Sequence, residues 1–344
     1  MTIRAEAIST PWDTPPAAGE AIEVAEGIYW LRLPLPMKLD HVNVYALDNG
    51  DGWTLIDTGM ATTAGRAALR AALDGPLAGK PVTRVVVTHH HPDHVGLAGG
   101  LMAQGAELLI PRTAYLIARM LVLDEQDVAP PESVAFYRAA GLEGAALDRY
   151  IARRPFNFAD VVEPLPLGFR DLPEGGMLKM GGRTWDIRLG GGHAIDHATF
   201  WCREEPLVLG GDQLLPGISP NLGVHPTEPE ADPVADWIAA CRRLAPFATE
   251  DQLILPGHKL PYRGLPFRLR QMEENHHSAL ARLRNHLAEP RTAIECFPAL
   301  FRRRIGEGEF GLALVEAVAH CNHLWLAGEA SRTRRGDAWV YSTA

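Results

Sequence analysis

The chain has 344 residues, 47% hydrophobic and 22% charged, with 33 Gly and 27 Pro, a composition that excludes a disordered tail, a collagen-like repeat and a coiled coil. The length accommodates two domains, or one large domain with an appendage. Lysine and arginine total 33 against 42 aspartate and glutamate, a formal charge of −9, which argues against a surface that attracts nucleic acid or anionic lipid as a whole and leaves room only for a local basic patch.

From the N-terminus, the stretch Met1 to Pro16 lacks an apolar signal core, and no later segment reaches the ~18 apolar residues of a membrane span. The expected location is therefore cytoplasmic. Ile22–Leu33, Val42–Ala46 and Trp53–Ile56 have strand texture, Thr62–Leu73 has helical periodicity, and Val82–Val87 reads as a buried strand. Strands that feed helices point to layered α and β. From Val95 to about Arg154, Ala, Leu and Arg recur at helical spacing, broken by Pro130-Pro131, which predicts an insertion of three or four helices, mainly over 110–155. Strand texture returns at Gly168–Arg170, Met177–Met180, Thr184–Leu189, Thr199–Arg203, Leu207–Leu209 and Leu253–Leu255, a second sheet. A long amphipathic helix is predicted from Pro266 to Leu287, ended by Pro290. Beyond it, Thr292 with Glu295 is a capping-box signature for a helix through Phe301. Gly311–Leu326 reads as a further helix stopped by Gly328, and Arg335-Gly336-Asp337 as the turn of a hairpin. Helix, helix, hairpin is the outline of a winged helix. The cysteines, Cys202, Cys241, Cys296 and Cys321, form no CxxC pair and read as reduced, mostly buried thiols.

Directly after Val85–Thr88 comes His89-His90-His91-Pro92-Asp93-His94, in which His89, His91, Asp93 and His94 spell HxHxDH. A string of this kind arises by chance on the order of once in a thousand chains. Imidazole nitrogens and a carboxylate are the ligands a catalytic Zn²⁺ accepts. An extended loop turning into a helix aims alternate side chains at two points, so that His89 and His91 share one metal, Asp93 and His94 address another, and His90 points away. Three strand-like runs then end in glycine-containing turns followed by further ligand types: Gly190-Gly191-Gly192 before His193, Gly210-Gly211 before Asp212, and Pro256-Gly257 before His258. Glycine lets the backbone bend tightly enough for strand-end side chains to converge.

With these motifs in this order the chain resembles the metallo-β-lactamase-fold hydrolase superfamily from about Ile22 to Tyr262. The resemblance implies an αββα sandwich, placed here at residues 20–264, with a dimetal site on one edge. His89, His91 and His193 would hold metal 1, Asp93, His94 and His258 metal 2, and Asp212 would bridge both. The family's first motif is matched by Asp57 in Ile56-Asp57-Thr58-Gly59, a carboxylate that fixes the tautomer of a ligating histidine. The cofactors implied are two Zn²⁺ per chain, with Fe or Mn as alternatives. A hydroxide bridging them is a nucleophile at neutral pH, and Asp93, with Asp212, would serve catalysis by guiding the proton to the leaving group. A carboxylate at 212, in place of the Cys of B1 and B2 lactamases, is similar to glyoxalase II, phosphodiesterase and lactonase relatives. Residues 265–344, a long helix plus the winged-helix-like unit, are similar to the lactamase-β-2-like branch.

Other polar residues have roles to be weighed. His197 completes a GHxxxH pattern and reads as a support for a ligand. His225, in the loop after Asp212, and Lys259 and Tyr262, just past the last ligand, are candidate substrate contacts. Family members commonly read PGHGP at that ligand, whereas here Lys259-Leu260-Pro261 follows His258. Arg268, Arg270, His276 and His277 form a polar helix face able to meet an anion. After Pro290 seven arginines face six acids, weak for phosphate binding, so the C-terminal unit reads as a brace for the metal domain or a homodimer interface.

The leading expectation is a dinuclear hydrolase of a small thioester, ester or lactone, with the insertion (Tyr115, Leu116, Met120, Leu121, Leu123) walling an apolar acyl part. The alternative is a phosphodiesterase or ribonuclease on the same site. A regulatory protein with a structural metal and a DNA-binding winged helix is a third class, disfavoured because structural zinc sites are closed, often cysteine-bearing cages.

Overall fold

Residues 7–343 are described in the computed structural model; the first six residues of the N-terminal stretch read above for a leader lie outside them. The first part of the chain supplies β1 (Ile22–Ala25), β2 (Ile28–Pro34), β3 (His41–Asp48), β4 (Trp53–Ile56), β5 (Val82–Val86) and β6 (Glu107–Leu109), which form one sheet in that spatial order. The first four pair antiparallel, and β5 and β6 join parallel. Helices α1 (Thr63–Asp74), α2 (Pro92–Val95) and α3 (Ala98–Ala103) belong to this half, and α4 (Arg112–Leu123), α5 (Pro131–Ala139) and α6 (Gly144–Ala152) make up the insertion. The second sheet is built from β7 (Met177–Met180), β8 (Arg183–Gly190), β9 (His197–Cys202), β10 (Leu207–Gly211) and β11 (Leu253–Pro256), in the order β11-β10-β9-β8-β7. α7 (Pro233–Leu244), α8 (Leu265–His286), α9 (Phe297–Phe301), α10 (Phe310–Leu326) and the hairpin β12 (Ser331–Arg335) and β13 (Ala338–Ser342) complete the chain.

The period of two along each strand sorts side chains into three cores. Val86, Leu207, Leu209, Leu253 and Leu255 meet between the two sheets with Trp30, Trp185 and Phe200. Their neighbours Val85 and Val87 face outward onto α1, α3 and α4. Val208 and Ile254 face the opposite way, onto Trp237 of α7, Leu269 of α8 and Leu314 of α10. The layers are therefore α, β, β, α, as expected. The C-terminal helices share the third core with the sandwich. The insertion links the outer layers: Tyr115 of α4 belongs to the first helical layer, whereas Phe136 and Ala140, in and after α5, pack with the C-terminal unit.

Several elements differ from the sequence expectation. Gly168–Arg170 forms only an isolated bridge, Leu109 to Arg170. α7 and the three-residue β6 were not predicted. Asp232 caps α7 by accepting from the N–H of Ala235 at 3.0 Å, ahead of Pro233, a start signal that is readable. The helix face expected to be polar divides: Arg270 and His277 are exposed, but Arg268 and His276 are buried. All four cysteines are free, three of them buried. Among the described residues no helix is long and apolar enough to cross a membrane.

Candidate metal centre

β8, β10 and β11 run in one direction, so their C-terminal ends share one edge of the second sheet. His193 and Asp212 follow β8 and β10 on that edge, and His258 follows β11. β3 starts, and β4 and β5 end, at one edge of the first sheet, which supplies His41, Asp57 and His89–His94. The two edges meet. Glycine makes the approach feasible: a Cβ on Gly257 would lie 2.2 Å from Asp212 Oδ1 and 2.9 Å from His94 Cε1.

The predicted ligands converge in overlapping groups, His89/His91/His193, His89/His94/Asp212 and Asp93/His94/His258, with the ligand atoms of each group within 4.8 Å of one another. His91 Nδ1 is 3.0 Å from both His89 Nε2 and His193 Nε2. Asp212 lies between the groups, its Oδ1 3.5 Å from His94 Nε2 and its Oδ2 3.4 Å from His193 Nε2 and 3.2 Å from His258 Nε2. Asp93 Oδ2 is 3.4 Å from His258 Nε2. His90 belongs to none of these groups.

The surroundings fix which ring nitrogen is bare. Asp57 Oδ2 accepts from His94 Nδ1 at 2.8 Å and from Thr88 Oγ1 at 3.0 Å, while its Oδ1 accepts from Thr88 N–H at 2.8 Å. Thr88 Oγ1 in turn accepts a hydrogen bond from His89 Nδ1–H at 2.9 Å. Asp57 achieves this in the left-handed region, at φ +61°. His258 Nδ1 donates to the His41 carbonyl at 2.7 Å and His193 Nδ1 to the Asn221 carbonyl at 2.9 Å. With each Nδ1 proton so held, the Nε2 lone pairs of His89, His94, His193 and His258 face inward. His94 Nε2 and Asp212 Oδ1 are buried without a hydrogen-bond partner, a cost that a divalent cation would remove. The donor set of neutral imidazoles and carboxylates fits such an ion.

Electrostatics divide the ligands into two sets, rings kept neutral and rings drawn toward the charged form by the carboxylates. Burial, reinforced by neighbouring imidazoles, holds His89 and His91 well below the usual histidine range. Burial opposes charge on His258 as well, but Asp212 and Asp93 overcome it and bring that ring up to about 10. Burial likewise disfavours charge on Asp212, yet His258 and His94 hold its carboxyl well below the ordinary value.

His197, at the start of β9, accepts the N–H of Asp212 on Nε2 at 3.0 Å and stacks on His89 with ring centroids 4.5 Å apart. His225 is exposed and lies near enough to His90 to add to burial and His193 in lowering that ring to about 3. Lys259, at φ +70°, donates its N–H to His41 Nε2 at 3.0 Å, and its carbonyl accepts from Asn43 and Arg32. Tyr262 is corrected: its ring is fully buried in the core with Leu265 and Trp237 and pairs through its backbone with Ile254, so it cannot touch a substrate. Sequence reading missed Thr88, His41 and Asn43, and reached Asn221 only as part of the loop that leads to His225. The one signal for His41 and Asn43 is polar side chains in an otherwise apolar strand, β3.

A model of the metallo-beta-lactamase superfamily matches residues 37–258, and one of the metallo-beta-lactamase-like C-terminal domain matches 280–344. The chain is similar to a beta-lactamase domain protein of Burkholderia ambifaria, at 36% identity with 98% of each chain covered and a TM-score of 0.90. It is also similar to a metallo-beta-lactamase family protein of Thermus thermophilus, at 27% identity, covering 94% of this chain and 100% of that one, with a TM-score of 0.78. The probable metallo-hydrolase YqjP of Bacillus subtilis (strain 168) is 26% identical over 306 residues, 87% of this chain and 92% of that protein. The converging ligand loops and these matches give one conclusion: the chain belongs to the metallo-beta-lactamase superfamily.

Proposed function

We propose that the chain is a metal-dependent hydrolase with two divalent ions, Zn²⁺ by ligand chemistry and Fe or Mn by availability, that cleaves small thioesters, esters or lactones. The observation that carries the reading is the place of Asp212, a carboxylate within 3.5 Å of ring nitrogens of His94, His193 and His258. When bound, such ions supply Lewis acidity and bring the ionisation of water to near neutral pH. His89, His91 and His193 would hold one ion, Asp93, His94 and His258 the other, and Asp212 would touch both. Asp93 has 16% of its side chain exposed, against 7% for Asp212, so it is the more open of the two ligand carboxylates and the one to relay a proton to a departing thiol or alcohol. The hydrogen bonds to Nδ1 keep the histidines aimed.

Substrate class rests on the rim. Met37, Ile195 and Leu312 are exposed: Ile195 follows His193 by two residues, the Leu312 carbonyl accepts from Asn221, and Met37 lies on the segment just before His41, which Lys38 ties to Glu309 beside α10 at 3.3 Å. An apolar acyl group suits such a rim. The insertion offers Leu116, Met120 and Leu123 as exposed apolar side chains, but Tyr115 is core. Among the basic residues of the C-terminal unit, Arg303 pairs with Glu309, Arg335 with Glu295 and Arg332 with Glu230, which weakens the phosphodiesterase or ribonuclease alternative. The test is a panel of acyl-CoA, acyl-glutathione, lactone, bis(p-nitrophenyl) phosphate and single-stranded RNA substrates. Turnover of an acyl substrate is expected. Turnover confined to the phosphodiesters would replace the acyl reading with its alternative.

A further inference from the structure

For His89, His94 and His258 the acceptor that fixes the second ring nitrogen comes from the sandwich: Thr88, Asp57 and the His41 carbonyl. His193 differs, because its acceptor, the Asn221 carbonyl at 2.9 Å, lies in the loop between β10 and α7. That loop is held by the C-terminal helices. Buried Arg268 of α8 donates from Nε to the Leu215 carbonyl at 2.6 Å and from Nη2 to the Ile218 carbonyl at 2.7 Å. Asn221 Nδ2 donates to the Leu312 carbonyl at 3.0 Å and to Glu316 Oε2 at 2.8 Å, both on α10. Val224 N–H donates to the Val315 carbonyl at 3.1 Å, and Leu222 and Val224 are fully buried in the core that contains Leu314 and Val318.

We propose that α10 is a positioning element of the metal centre: Glu316 and the Leu312 carbonyl clamp Asn221, whose own carbonyl sets the tautomer and aim of His193. The C-terminal unit thereby completes the His89/His91/His193 ligand set, which the sandwich alone leaves without a support for His193. A unit that only braced the fold would have no reason to affect one ligand group more than the other. Asn221 has donor and acceptor groups committed in opposite directions, toward α10 and toward His193, and this makes it the joint between the two. The inference rests on the two-ion reading above.

The test is titration of the metal-free, full-length chain with Co²⁺ alone, followed by visible absorption in competition with a chelating dye, for the wild type and for Asn221→Ala, Glu316→Ala and Glu316→Gln. The wild type is expected to take up two ions. The two alanine variants should bind one ion with wild-type affinity and the other about 10-fold or more weakly, the scale found when a ligand's hydrogen-bond partner is removed. Glu316→Gln keeps an oxygen acceptor for the Asn221 amide and should restore both. The exchangeable His193 Nδ1–H resonance of the Co²⁺ form should shift or vanish in the alanine variants only. Alanine variants that bind both ions as the wild type does, or that lose both equally, overturn the proposal while leaving the hydrolase reading in place. A wild type that takes up no metal overturns both. Melting of the metal-free variants identifies any that fail to fold, and the Glu316 pair then carries the comparison.

Discussion

Exchanging Asp57 for Asn separates the tautomer argument from the fold. Asp57 accepts three hydrogen bonds, from Thr88 N–H at 2.8 Å, Thr88 Oγ1 at 3.0 Å and His94 Nδ1 at 2.8 Å. An amide of the same shape must keep its oxygen toward the fixed Thr88 N–H, which places its NH₂ group opposite His94 Nδ1 and the Thr88 hydroxyl. Donor then meets donor unless His94 moves its proton to Nε2 and the Thr88 hydroxyl turns to donate to His89 Nδ1. Both Nε2 atoms would then be protonated, one in each ligand group. Restoring the ligand form leaves buried donors unpaired, at about 1–3 kcal/mol each, which corresponds to a loss of about 10- to 100-fold in metal affinity. Asn tolerates the left-handed backbone that position 57 requires, at φ +61°, so the metal-free melting temperature should change by only a few degrees. Competition titration with Zn²⁺ or Co²⁺ on Asp57→Asn reads the effect. Wild-type affinity in a normally folded Asp57→Asn protein would refute the reasoning.

Further outcomes follow from individual contacts. Gly257→Ala inserts a Cβ 2.2 Å from Asp212 Oδ1 and should abolish uptake of at least one ion; elemental analysis showing unchanged content would contradict the close approach. Chelation should lower the melting temperature by several degrees, because metal at 1,000 times its Kd stabilises the folded state by about 4 kcal/mol; a melt indifferent to chelator contradicts this. Burial lifts the Glu316 carboxyl to about 7, above its ordinary 4.5. The folded state therefore holds a proton that the unfolded chain releases, and stability falls as pH rises from about 4.5 to about 7. Glu316→Gln should remove this fall, matching the wild type near pH 5 and exceeding it above pH 7 in metal-free melts; parallel stability curves at all pH values would contradict the assignment.

What was legible in the sequence was whatever is encoded locally. The short apolar runs in Val82–Val87 and Leu253–Leu255, and the HxHxDH string after a buried strand, announce sheets and ligands within a few residues. The Thr292–Glu295 capping box is present, with the Thr292 N–H donating to Glu295 at 2.6 Å. What was not legible depends on partners distant in sequence. Asn221 acts through α10, about ninety residues later, and the His41 carbonyl serves His258, 217 residues away. No spacing rule encodes such contacts. Tyr262 and Arg268 illustrate the converse: polar side chains near a ligand in sequence look functional, yet the bend over 257–259, with Lys259 at φ +70°, returns the chain so that Tyr262 enters the core, and helical rotation turns Arg268 inward to hold the Leu215–Ile218 loop.

The most direct test of the dimetal hydrolase account is to measure metal content and acyl-substrate hydrolysis on the same purified sample, before chelation, after it, and after metal is returned. The account predicts about two divalent ions per chain, hydrolysis that disappears with them, and recovery on reconstitution. Undiminished hydrolysis in a sample stripped of metal would contradict it.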